Sequence, residues 1–255
     1  MWFDLDIIGP PLLAGLLVCL THVPLGRRVL DRGIIFIDLA IAQIAALGVL
    51  VALLINAQLS TIWVQLIAVV SALVGAAGLQ LCERWWPDIQ EALIGVTFVL
   101  SATAGVLLLA HNPHGAEQIQ ELLAGQILWV SYSQLIPVAL LSIVVLGFIF
   151  WEEKLGRWAF YVSFSLAVTA SVQLVGVYLV FASLILPALA VRHCHGFNAL
   201  GFGYLVGALG YIFGLMLSSQ LDLPSGPLIV WMLAMVALII AWGLRWRAAC
   251  QVNRI

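Results

Sequence analysis

Residues 34–55 read IIFIDLAIAQIAALGVLVALLI, a run whose only strongly polar side chains are Asp38 and Gln43. The hydrocarbon core of a bilayer takes about 20 apolar residues of helix, and inside it only helices and closed barrels satisfy their own backbone groups. The stretch is therefore expected to cross a membrane as a helix. Outward from it, comparable runs lie at 7–25, 62–82, 92–110, 133–151, 158–175, 177–191, 199–219 and 227–246. With 64% hydrophobic and 9% charged residues over 255 positions and a mean hydropathy of +1.15, a soluble domain is excluded. The expectation is an all-α, polytopic membrane helix bundle of eight to nine transmembrane segments, forming one domain over 1–255. Run 177–191 is short for a crossing and reads either as half a broken helix or as a continuation of the run before it.

The charges give the runs a direction. Arg27, Arg28 and Arg32, then Arg84, then Lys154 and Arg157, then Arg192, then Arg245, Arg247 and Arg254 occupy alternate gaps if nine segments cross. The opposite gaps hold Asp4 and Asp6, Asn56 and Gln58, the stretch 111–121, and Asp222, without Lys or Arg. The positive-inside rule then predicts an inner (plasma) membrane protein with its N-terminus outside and its C-terminus in the cytoplasm. The first twenty residues lack a basic n-region and do not read as a cleaved signal. Cys19, Cys82, Cys194 and Cys250 fall at or beyond cytoplasmic helix ends, so no disulfide is expected.

Glycines recur inside the runs, at Gly75 and Gly78 and at Gly201, Gly203, Gly207 and Gly210, where bare backbone lets helices approach closely. Trp85, Trp86, Trp129, Trp151, Trp158, Trp242 and Trp246 stand at predicted helix ends, the depth an indole prefers.

The segment from Val175-Gly176 through Leu186-Pro187-Ala188 to Arg192, followed later by Asp222-Leu223-Pro224-Ser225-Gly226-Pro227, carries the clearest motif. With Arg32 to Gly48, Glu91 to Gly95 and Leu123 to Leu128 in the same order, the chain resembles the permease family of zinc and manganese ABC importers over nearly its whole length. The resemblance implies the fold of ABC importer permeases of the metal, cobalamin and siderophore type. It also implies a homodimer with two ATP-binding cassette ATPase subunits and an extracytoplasmic metal-binding protein. Zinc or manganese is then a transported substrate, not a permanently bound cofactor, and no nucleic acid is involved. In that family the loop matching Arg192, His193, Cys194, His195, Gly196 and Phe197 docks on the ATPase. Three adjacent side chains on a short loop seldom converge on one ion, so His193, Cys194 and His195 read as a docking loop and not as a metal cluster. Gly176 tolerates an unwound backbone and Pro187 removes a helix hydrogen bond, so a helix break and moving part is expected there.

Asp38 is the only acidic residue well inside a span, which makes it a functional-site hypothesis by default and the first-choice metal ligand. The resembled family places an Asp and a His one helical turn apart on this span. Aligned without gaps, those positions fall on Leu39 and Gln43, and Asp38 lies one residue early. Asp38 and Gln43 are about 140° apart around a regular helix and do not both face one ion. A second candidate set is His111, His114, Glu117 and Glu121, read as an outer loop turned by Pro113 and Gly115, with imidazole and carboxylate donors suited to zinc or manganese. The gap 152–157 is shorter than the family's usual amphipathic stretch, which implies a smaller ATPase contact.

No phosphate-binding Gly-x-x-x-x-Gly-Lys-Ser/Thr motif is present, so ATP hydrolysis falls to a partner and no catalytic residues are assigned. Alternative readings stay open: a permease for a metal chelate or siderophore, or an ion-coupled secondary carrier in which Asp38 relays protons. An intramembrane enzyme built on Ser101, Ser183, His22 and Asp38 lacks any His-Glu-x-x-His or Gly-x-Ser-x-Gly support.

Overall fold

The computed structural model describes residues 5–56, 58–110, 112, 115–194 and 196–252. The helices, in chain order, are α1 (Leu5–Arg32), α2 (Ile37–Ile55), α3 (Thr61–Trp85), α4 (Gln90–Leu109), α5 (Gly115–Ala124), α6 (Tyr132–Phe150), α7 (Glu152–Leu155), α8 (Arg157–Val175), α9 (Val177–Ala190), α10 (Gly196–Leu221) and α11 (Ser225–Val252). Short 3₁₀ turns at Pro87–Ile89 and Ile127–Trp129 lead into α4 and α6. Among the described residues, eight helices are long and apolar enough to span a membrane; α9, with 14 residues, is the shorter apolar one. The segment 177–191 is thus a helix of its own, not a continuation of α8.

The centre of the bundle is α8, whose Phe160, Phe164, Val168, Val172 and Val175 are buried together with Ser163, Ser165, Thr169 and Ser171. It lies against α1, α2, α3, α6 and α9. Serine survives in this apolar setting because it folds back on its own helix: Ser163 Oγ donates to the Phe160 carbonyl and Ser165 Oγ to that of Tyr161. Glycine sets the close approaches of α10. A Cβ at Gly203 or Gly207 would meet Val23 or Cys19 of α1, and one at Gly210 or Gly214 would meet Leu233 or Ile229 of α11. Glycines four residues apart thus dock α10 on two neighbours at once, where hydrocarbon supplies no hydrophobic drive. The exposed faces are apolar, and exposed tryptophans stand at or beside helix ends at Trp85, Trp86, Trp129, Trp151 and Trp158, whereas Trp231 and Trp242, the latter expected at a helix end, are exposed within α11, which runs on to Val252.

Helix α1 runs seven residues past the predicted end at 25, through Gly26 and three arginines. The reason lies 120 residues away. Arg28 and Arg32 both pair with Glu152 of α7, Arg28 Nη2 donates to the Ile149 carbonyl, and the Arg32 guanidinium sits 4.0 Å from the Phe160 ring centroid. With their charges met, the arginines extend the helix instead of ending it. Beside them Tyr161 Oη donates to Glu83 Oε2, Gln90 Nε2 donates to Tyr161 Oη, and Arg157 pairs with Glu83. The gaps around 27–32, 83–90 and 152–157, which the charge pattern places on one side, meet at one end of the bundle.

Candidate functional site

At the opposite end, three of the motif segments converge through backbone. Gly125 and Gly176 both take positive φ, +70° and +82°. A Cβ on Gly125 would stand 2.1 Å from the Val175 carbonyl oxygen, one on Gly176 2.4 Å from the Gly125 nitrogen, and one on Gly226 2.4 Å from the Ala124 carbonyl oxygen. Only glycine meets both demands, the left-handed conformation and contact without a side chain. The predicted break therefore falls at Gly176, the single residue between α8 and α9. Pro187 does not interrupt α9, which continues to Ala190. The bond it lacks falls one turn from the helix end, and the amide of Val191 still reaches the Pro187 carbonyl.

From this junction α9 descends along α1, where a Cβ on Gly26 would strike the Leu184 carbonyl and Ala188. Ser183 and Tyr211 of α10 share a hydrogen bond at 2.9 Å inside the core. Between α2, α4, α9 and α11 lies a cavity of about 820 Å³. Leu39, Gln43, Phe98, Ser101, Tyr178, Phe181, Pro227 and Trp231 are among its walls. Phe36, at the start of α2, stacks on Phe181 with ring centroids 6.4 Å apart, and its amide donates to Glu91 Oε1. The Glu91 motif thus fixes the entry of the helix that carries Gln43.

Leu39 and Gln43, one turn apart, both face this cavity. Asp38 does not line it. It is buried in the first turn of α2, with the amides of Asp38 and Leu39 against its carboxylate and Oδ1 without a hydrogen-bond partner. The stretch read as an outer loop is in part a helix: Glu117 and Glu121 lie on α5 one turn apart, and Glu117 is exposed. His111 and His114 lie outside the described residues. Among the described residues, no three His, Cys, Asp or Glu side chains form a group able to hold a metal.

In the docking segment, Arg192 and His193 are exposed on the turn after α9, joined by a bond from Arg192 Nε to His193 Nε2 at 3.0 Å, and the Cys194 amide closes the turn on the Val191 carbonyl. Gly196 and Phe197 begin α10, and His195 lies outside the described residues. Of the residues considered for an enzyme, Ser101 lines the cavity, Ser183 bonds Tyr211, and His22 Nδ1 engages the Val18 carbonyl of its own helix.

The sequence model of the ABC 3 transport family matches residues 4–156 and 152–243. A protein of Haemophilus influenzae named high-affinity zinc uptake system membrane protein ZnuB is 23% identical over 247 residues, covering 88% of this chain and 93% of the relative. A probable metal transport system membrane protein of Chlamydia pneumoniae is 24% identical over 253 residues, covering 89% and 85%. Among solved structures, PsaBC from Streptococcus pneumoniae in complex with Fab superimposes with a TM-score of 0.73 at 20% identity, covering 91% of this chain and 90% of that one, which establishes a common fold.

Proposed function

Because the chain belongs to the ABC 3 transport family, we propose that it is the membrane-spanning permease subunit of an ATP-driven importer of a divalent metal ion, with zinc first and manganese next. The observation that carries this reading is the match, over 88% of this chain, to a zinc uptake membrane protein, joined to a fold whose cavity opens between α2, α4, α9 and α11. The working unit is a homodimer in the bacterial inner membrane with two ATPase subunits and an extracytoplasmic metal-binding protein.

In this reading the arginine-rich end faces the cytoplasm and Arg192 to Phe197 receives the ATPase. The glycine junction and α5 lie at the outer mouth, where His111, His114, Glu117 and Glu121 take the metal from the binding protein. The path runs past Gln43, while Asp38 stands behind the wall and braces the first turn of α2, where a carboxylate is favoured. Movement of the ATPases is transmitted through the turn after α9 to Gly176.

The test is uptake of radiolabelled zinc and manganese into proteoliposomes holding the permease, its ATPase and its binding protein. Uptake is expected only with ATP and only with the ATPase present, and the His111→Ala, His114→Ala double variant is expected to slow it at limiting metal. Accumulation driven by a proton gradient without the ATPase would instead identify a secondary carrier.

A further inference from the structure

We infer that the cavity between α2, α4, α9 and α11 carries the metal as an uncharged complex with a small organic ligand, not as a bare ion. The inference rests on the importer reading above and specifies its cargo. A divalent ion stripped of water needs several oxygen, nitrogen or sulfur donors at bonding distance. In a medium of low dielectric it also needs compensating charge. Among the described residues, the walls of this cavity offer neither. Their polar side chains are the amide of Gln43, the hydroxyls of Ser101 and Tyr178 and the indole of Trp231, all neutral, and the rest are aliphatic or aromatic. The α2 positions that line the cavity are Leu39, Gln43, Ala46, Leu47 and Leu50, with Gln43 the one polar side chain among them, and the nearest carboxylate in sequence, Asp38, does not line it.

Those features suit a complex. The cavity, about 820 Å³, falls in the range of about 300–1,000 Å³ of sites that take organic molecules. In a net-neutral complex the ligand fills the coordination sphere and cancels the charge, so the wall meets an organic surface. The rings of Phe98, Tyr178, Phe181 and Trp231 give flat apolar faces for that surface. The Gln43 amide both donates and accepts, and it can bond a ligand carbonyl and a ligand N–H at once.

The assembled importer in ATP-energised vesicles tests this with radiolabelled zinc in two forms: buffered free zinc, and zinc bis-histidinate, a net-neutral complex, at the same free-zinc concentration. Uptake is expected to rise about tenfold with the complex at constant free zinc, a difference of about 1.4 kcal/mol in recognition. A rate that follows free zinc alone would overturn the inference and leave the metal importer standing. No ATP-dependent zinc uptake in either form would overturn both. In the Leu39→Asp, Gln43→His double variant, a carboxylate and an imidazole would face the cavity together, and dependence is expected to pass to free zinc. Unchanged preference for the complex in that variant would remove the cavity from the path and overturn the assignment.

Discussion

Where α1 meets α7 the bundle is held by side chains, and where α5, α8 and α11 meet it is held by backbone. At the first place two arginines share one glutamate, with a ring beneath one of them. At the second, Gly125, Gly176 and Gly226 bring main chain against main chain. Long charged side chains adapt when one partner is lost, because the others and water re-form around the gap. A backbone contact without Cβ atoms has no such freedom. The difference teaches where the fold tolerates change: the charged end is adjustable, and the glycine end has one geometry. That contrast matches the proposed labour of the two ends, one meeting a moving ATPase partner and the other holding the shape of the mouth.

Substitution at the glycine end breaks the comparison hardest. Gly176→Ala sets a Cβ 2.4 Å from the Gly125 nitrogen in a left-handed conformation. A loss of about 3 kcal/mol or more is expected, from strain and displaced backbone together. Thermal unfolding in detergent, with the yield of folded permease, reads it; wild-type melting would mean that the two segments separate readily. Glu152→Ala comes next. It leaves Arg28 and Arg32 half-buried without their shared carboxylate, and a loss of about 1–3 kcal/mol is expected in the same assay. The smallest effect belongs to Gly33→Ala. Gly33 has a φ of +70°, like Gly125, but nothing lies within 4 Å of its Cβ position, so only the conformational cost of about 1 kcal/mol remains. A loss at Gly33 equal to that at Gly176 would show that φ alone, and not the backbone junction, sets the cost.

Much of this was legible in the sequence, and the exceptions have physical causes. The apolar runs mark the spanning helices because length and composition in hydrocarbon leave few alternatives. The motif segments around Gly125, Gly176 and Gly226 could each be read in place, and Gly176 was expected to interrupt the helix. Their meeting could not be read, because it joins positions far apart in the chain. The tail of α1 was missed for the same reason: Arg28 and Arg32 look like a helix end until Glu152 is beside them. The six-residue gap that looked merely short contains α7 and that glutamate.

Helix α5 was within reach. Ala116, Ile119, Leu122 and Leu123 recur at the three- and four-residue spacing of an amphipathic helix, but Pro113 and Gly115 just before them are turn-forming residues and point the other way. At the cavity, position counting alone separated Asp38 from Gln43, since five residues on a helix put them on different faces. Which of the two faces open space needed the neighbouring helices.

The orientation of the two ends tests the proposed labour most directly. Single cysteines at Lys154 and at Gln126, in a chain whose native cysteines are replaced, would be exposed to a membrane-impermeant thiol reagent in inside-out and right-side-out vesicles. Both side chains are exposed, one beside the arginine cluster and one beside Gly125. Modification of Lys154→Cys only in inside-out vesicles, and of Gln126→Cys only in right-side-out ones, is the expected result. The reverse pattern, or both cysteines on one side, would contradict the assignment of the charged end to the ATPase and of the glycine end to the metal's entry.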